Sequence, residues 1–235
     1  MSSWKGMGRV TKSQKFAGGA RLAKYLSLPA IVGNYASTPD APANRITGSL
    51  DLRVLVGVAD WGSVGDFTVF IAKDTNADPN KSYAFYLDLG TGLFSFHRSL
   101  LGVLNAAIST VPPNFAANQI AGARVTHNVD TGEILFYTSL DGGQTWIQLG
   151  APRGITAGVG DAGIAALTLG TVEGGIFYMK KQNILWAEVR TPIDGPVVAR
   201  FDSTRGLQFA ATITAETGEL WTINRAGTGH IAHLF

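Results

Sequence analysis

Glycine and proline interrupt this chain so often that long helices have no room. The longest stretch free of both runs over Ile176–Thr191, 16 residues, and the breaks come sooner everywhere else. Proline removes a backbone donor and glycine weakens a helix interior by about 1 kcal/mol, so the segments between breaks favour strands. Their patterning agrees. Leu50, Leu52, Val54, Val56 and Val58 fall on one face of an alternating segment, with Asp51 and Arg53 on the other. Tyr83, Phe85, Leu87 and Leu89 repeat the period of two, as do Ile134, Phe136 and Thr138, and Phe67, Val69 and Ile71 give a shorter case. Residues 176–179 and 184–189 are apolar on both faces, the pattern of an inner strand. Between them lie Asp88-Leu89-Gly90-Thr91-Gly92, Asp130-Thr131-Gly132 and Asp141-Gly142-Gly143, whose glycines accept the positive φ of tight hairpins. Many strands joined by such turns predict an all-β, two-layer sandwich or jelly roll.

With 235 residues and 46% hydrophobic side chains, the chain has ample material for one large core. The absence of cysteine excludes a disulfide framework, a thiolate zinc site and a cysteine nucleophile. No apolar run of about 18 residues is present, so no membrane-spanning helix or membrane partner is expected, and the N-terminus lacks the apolar stretch of a signal peptide. Charged residues are 15% of the chain, and the net charge of +2 hides an uneven distribution. Lys5, Arg9, Lys12, Lys15, Arg21 and Lys24 precede the first carboxylate, Asp40. The rest of the chain has 13 basic against 17 acidic residues. We therefore expect an extended basic arm over residues 1–33, anchoring through those cations with Trp4, Phe16 and Tyr25, and a sandwich over residues 34–235. An acidic protein surface suits such an arm; nucleic acid suits it less, because the acidic body opposes wrapping on DNA.

Ser139-Leu140-Asp141-Gly142-Gly143-Gln144-Thr145-Trp146 fits the Asp-box pattern S-x-D-x-G-x-T-W. Asp141 can accept backbone N–H groups within the turn, Ser139 and Thr145 flank it, Gly143 permits the tight geometry, and Trp146 packs beneath; the expected role is structural. A sialidase propeller needs several copies, and this chain has one. Gly158-Val159-Gly160-Asp161-Ala162-Gly163 matches G-x-G-x-x-G, but no βαβ unit surrounds it, so no nucleotide cofactor is expected. Asp74, Asn76 and Asp78 open like a calcium loop, yet Pro79 and Phe85 stand where glycine and glutamate are needed, leaving only a weak calcium candidate. His97 and His127 sit in strand-like runs and are expected to face solvent or partners. His230 and His233 have no nucleophile motif to serve. Glu188, beside Trp186 in an apolar run, reads as a lone carboxylate with a raised pKa, whereas glycoside hydrolysis needs two positioned carboxylates; no enzymatic activity is expected. Trp61, Trp146, Trp186 and Trp221 serve either the core or a sugar-stacking surface.

Three segments carry a family resemblance. These are Gly33-Asn34-Tyr35-Ala36-Ser37-Thr38-Pro39-Asp40-Ala41-Pro42 with residues 46–54, then residues 128–139 running into the Asp141 turn, and residues 184–190 with Asp194-Gly195 and the 218–223 stretch. Together they resemble the concanavalin A-like, laminin-G-like domains of bacteriophage virion proteins, such as minor tail proteins of actinobacterial phages. The resemblance spans about residues 33–231 and implies a jelly-roll sandwich without enzymatic activity, located in the virion. It implies partners among major capsid or tail subunits, a homo-oligomer (trimers being common for such parts), and contact with a host surface glycan. The basic arm departs from the typical domain and favours an anchored capsid decoration or minor tail component. A stand-alone glycan-binding module or a receptor-binding tail protein is the alternative.

Overall fold

The computed structural model describes residues 24–62, 67–75, 81–88, 90–175, 180–226 and 233–234. Among them, two antiparallel sheets face each other. The first sheet contains β1 (Leu26–Leu28), β3 (Leu50–Val58), β8 (Ile120–His127), β9 (Glu133–Ser139), β10 (Ile147–Gln148), β11 (Arg153–Gly154), β13 (Gln182–Arg190), β14 (Val197–Asp202) and β17 (His233–Leu234). The second contains β2 (Tyr35–Thr38), β4 (Thr68–Lys73), β5 (Tyr83–Leu87), β6 (Phe94–Leu100), β7 (Val103–Ile108), β12 (Leu167–Leu169), β15 (Thr212–Thr214) and β16 (Leu220–Asn224). Their orders are β10-β9-β8-β3-β13-β1-β17 and β15-β16-β2-β12-β4-β5-β6-β7. On one edge of β13, β1 pairs with the first three residues and β14 with the remainder, so the two lie end to end. This is the all-β jelly-roll sandwich that the turn spacing predicts.

The alternation of β3 sends Leu50, Leu52, Val54, Val56 and Val58 into the core. Phe70, Phe85, Phe94 and Phe136 meet them from both sheets, with Phe70 and Phe85 edge to face at 5.2 Å between ring centroids. Trp61 closes this cluster, 4.9 Å from Phe115, and donates its indole N–H to the carbonyl of Gln119 at 3.2 Å. Trp221 packs against Phe201 at the opposite flank and donates to the carbonyl of Arg200.

Five expectations change. The arm boundary at residue 33 falls inside the sandwich, because Leu26 and Leu28 are core residues and β1 sits between β13 and β17. Lys24, expected in the arm, donates to the carbonyl of Gly206 at 3.1 Å, and its own carbonyl accepts from Ser203 Oγ at 2.7 Å. Phe67, Val69 and Ile71 do not share a face: a register shift between Val69 and Ile71 turns adjacent Phe70 and Ile71 both inward and leaves Val69 outside. His127 faces the interior, not solvent, since it continues the inward set Ala121, Ala123 and Val125. Glu188 is not a lone carboxylate: Arg190 and Arg200 each donate to one of its oxygens at 2.8 Å. The expected strand at residues 176–179 lies outside the described residues.

Candidate functional site

The outer faces of the two sheets each carry aromatic and polar side chains. On the first sheet the charged groups pair with one another. Asp51 is fully buried and accepts from Arg124 Nε at 2.9 Å and from Arg53 Nη2 at 2.6 Å. Asp194 completes the set, taking Arg124 Nη2 at 2.7 Å through its carboxylate and donating its backbone N–H to Asp51. Burial pushes the Asp51 carboxyl up, but the two arginines outweigh it and hold it below the usual carboxylate range.

The Asp-box turn folds over this network. Asp141 Oδ1 accepts from the amides of Gln144 and Thr145, both at 3.0 Å, and from Ser139 Oγ at 2.7 Å. Thr145 Oγ1 donates to Oδ2 at 2.6 Å, and Gly143 N donates to Ser139 Oγ at 3.0 Å. Thr145 foremost, then Ser139 and Gln144, holds the Asp141 carboxyl well below its ordinary value. Trp146 lies over Gly122, where an added Cβ would stand 2.9 Å from the indole. The Arg53 and Arg124 guanidinium carbons sit 5.9 and 6.0 Å from its ring, and Arg124 is 4.8 Å from that of Tyr137. Trp186 packs against Gly143. Beneath the turn a hollow of about 140 Å³ is lined by Phe115, Leu140 and Ile147 among others.

The second sheet is arranged differently. Alternation in β5 turns Tyr83, Phe85 and Leu87 inward, leaving Ala84 and Tyr86 outside. Ala84 pairs with Ala72 on β4 and with His97 on β6, so two small residues make a floor. Tyr86 and His97 rise beside it, edge to face at 4.9 Å, and Phe67 meets Tyr86 edge-on at 5.6 Å. Val69, Asp74 and Val172 complete a cavity of about 150 Å³. The Tyr86 hydroxyl contacts His97 Nε2. Burial pushes the Tyr86 hydroxyl up to about 12, with Asp88 and Asp74 adding to it, so it stays protonated. Burial, with help from Lys81, pushes the His97 imidazole down, so the neutral ring accepts at Nε2 and the Tyr86 O–H donates. The other ring nitrogen then carries a proton and remains a donor. The site thus offers aromatic edges, an apolar floor and a few convergent polar groups, the composition of a small-ligand pocket.

Of the residues singled out in the sequence, Asp74 lines this cavity, and His97, expected to face solvent or partners, forms its wall. Asn76 and Asp78 lie outside the described residues, and the described residues hold no cluster of three or more candidate metal ligands. Lys5, Arg9, Lys12, Lys15, Arg21, Trp4 and Phe16 also lie outside the described residues, while Lys24 and Tyr25 lead into β1. Trp61 and Trp221 belong to the core; Trp146 and Trp186 are half-buried on the first sheet's outer face. Sequence reading missed Tyr86. Its outward position in the Tyr83–Leu87 alternation was the available signal.

No family model matches the chain, and no curated protein matches it in sequence. Solved structures do share its fold. A candidate carbohydrate-binding protein from Bacteroides ovatus superposes with a TM-score of 0.60 at 11% identity, over 87% of this chain and 58% of that one. The binding domain of botulinum neurotoxin DC, solved with SialylT, gives 0.46 at 12% identity over 72% of this chain and 48% of that one. Tailspike protein 2 of an Escherichia coli O157:H7 bacteriophage gives 0.43 at 13% over 70% and 24%. The chain spans little more than half the length of the Bacteroides protein. At this identity the likeness is one of architecture: the chain is a β-sandwich resembling those of carbohydrate-binding domains.

Proposed function

We propose that this chain is a non-enzymatic carbohydrate- or receptor-binding module whose contact surface is the outer face of the second sheet. The cavity between Phe67, Tyr86, His97 and Val172 carries the reading. Sugar rings present apolar C–H faces and hydroxyls together, and this site pairs aromatic surface with a histidine donor and the Asp74 carboxylate. The architecture shared with the Bacteroides protein supports it. A glycan array probed with the full chain tests the reading. A set of host polysaccharides should bind, and Tyr86→Ala should lose them; an array blank for the native chain sinks it.

The basic N-terminal segment favours a second layer: a capsid decoration or minor tail protein in a phage particle, with the arm fixed to major capsid or tail subunits and the sandwich facing outward. Five of the six cations that precede the first carboxylate lie in residues 1–23, and from Lys24 onward the chain is tied into the sandwich, so the tether reduces to residues 1–23. Self-association, as a trimer or otherwise, would multiply weak single-site contacts into avidity. Deleting residues 1–23 should abolish incorporation into particles while the sandwich keeps its melting temperature. Normal incorporation of the truncated chain overturns the anchor.

A further inference from the structure

Near the C-terminal ends of β6 and β8 the interior of the sandwich changes character. Arg98 points inward by the same alternation as Phe94 and Phe96, and its exposure is 0%. Its Nη2 donates to the carbonyls of Ile46 at 2.6 Å and Gly48 at 3.2 Å, and the Tyr83 ring lies 5.9 Å from its central carbon. Among the described residues, its Nε and Nη1 have no hydrogen-bond partner. His127 faces it from the other sheet, 1% exposed, its ring 5.9 Å from that of Phe96, which is Arg98's neighbour on the inner face of β6. Neither nitrogen of His127 has a partner either. Two buried polar side chains, one from each sheet, thus share one end of the core with donors unspent.

The surroundings narrow what can complete them. Gly160 closes one edge of the guanidinium: a Cβ there would stand 1.9 Å from Nη2 and 2.3 Å from Nε. Nη1 lies on the other edge. Burial pushes the Arg98 guanidinium down to about 10; Asp161 offsets that charge only in part, and with its Oδ2 accepting from Ser99 Oγ at 2.6 Å and the amide of Gly102 at 2.8 Å it makes no hydrogen bond to Nη1. A guanidinium donates and never accepts, and a buried cation needs a counter-charge. Water brings protons of its own and offsets no charge. The side chains are too enclosed for a sugar acid or a peptide carboxylate to reach them.

We propose that a monatomic anion of halide size, chloride under ordinary conditions, is bound between Arg98 Nη1 and the His127 imidazole, as a buried counter-ion joining the two sheets. Both side chains are spectators to the surface cavity on β4, β5 and β6, so this site stands or falls independently of glycan binding.

Crystals of the full chain grown in bromide, with diffraction measured at the bromine absorption edge, test it directly. An anomalous peak within hydrogen-bonding distance of Arg98 and His127 is expected; a peakless map with ordinary water there overturns the proposal. In solution, melting temperature is compared in sodium chloride and sodium gluconate at matched ionic strength. Chloride should raise it by roughly 5–10 °C once the ion exceeds its dissociation constant about a hundredfold, and gluconate, too bulky to enter, should not. Equal curves in the two salts overturn the site. Arg98→Met should erase the difference; should that variant fail to fold, His127→Phe provides the second reading, and a full chloride effect in it would remove the histidine from the site.

Discussion

The two outer faces of the sandwich use similar side chains to opposite ends. On the first sheet, Trp146 and Trp186 lie over Gly122 and against Gly143, and Asp51 is enclosed by Arg53 and Arg124. Each aromatic surface there has a protein neighbour, and the charged groups have opposite partners. On the second sheet, Phe67, Tyr86 and His97 surround a floor of alanines and leave a cavity of about 150 Å³. Aromatic content alone therefore does not mark a binding surface. What separates the faces is whether a hairpin returns to cover it. The Asp-box turn does so on the first sheet, because the ring of hydrogen bonds around Asp141 fixes its course.

The comparison breaks most severely at Asp51. Asp51→Ala leaves two largely buried guanidinium groups without their central carboxylate, and removing one partner of a buried ionic set costs about 3–5 kcal/mol. Urea unfolding should record a loss of that order, while glycan binding per folded molecule stays unchanged. A loss below about 1 kcal/mol would mean that Asp194 alone sustains the arginines. Gly143→Ala attacks the cover itself. The residue has φ +88°, and the new Cβ would stand 2.6 Å from the Trp186 ring. A penalty of about 1–3 kcal/mol is expected from strain and overpacking, accompanied by increased tryptophan accessibility to acrylamide quenching. Unchanged quenching would show that the turn moves as a unit.

Much of the first face was legible. The S-x-D-x-G-x-T-W spacing encodes its own hydrogen bonds, since Asp141 reaches only residues within four positions. The alternation of β3 and β5 was equally plain, because one face of each is apolar. The second face was not, for two physical reasons. The cavity depends on register: Ala84 stands opposite both Ala72 and His97, and no local pattern states which strands pair or where. The bulge at Val69/Ile71 also inverts the face of β4 midway, and a strict period of two wrongly puts Ile71 on the same side as Phe67 and Val69. The arm boundary failed for a related reason. Leu26–Leu28 is three residues long, too short to outweigh the charge gradient in which it lies, yet two strands hold it in the sheet.

Ala84→Leu sharpens the contrast from the other side. The added side chain enters the cavity without disturbing the core, so stability should stay within about 1 kcal/mol of the native chain. Affinity for an array-positive glycan should fall about tenfold or more, equivalent to about 1.4 kcal/mol, when measured by calorimetry. Unaltered affinity would move the binding surface away from the second sheet, with the hollow beneath the Asp-box turn as the next site to probe.

The smallest effect separates the faces by pH. His97 has a folded-state pKa pushed below its unfolded value, chiefly by burial, so its contribution to stability is present above about pH 6.5 and declines as the pH falls through that value toward the folded one. Binding follows the folded ring: once it protonates, Nε2 no longer accepts from Tyr86 and the wall of the cavity loses its internal hydrogen bond. Asp51 is also held below its unfolded value, but for a carboxylate that stability is present above about pH 3.9 and is lost only as the pH falls through the folded pKa. His127, pushed down to about 4 by burial and by Arg98, weakens the whole fold over the same mildly acidic window, so circular dichroism must accompany the binding titration. As the pH falls below about 6.5 and the folded ring takes up its proton, the affinity should drop a few-fold while the near-ultraviolet spectrum, dominated by the covered tryptophans, is retained. His97→Gln should flatten the affinity profile. If binding and spectrum instead collapse together, acid is unfolding the sandwich through its interior, and the two faces respond as one body.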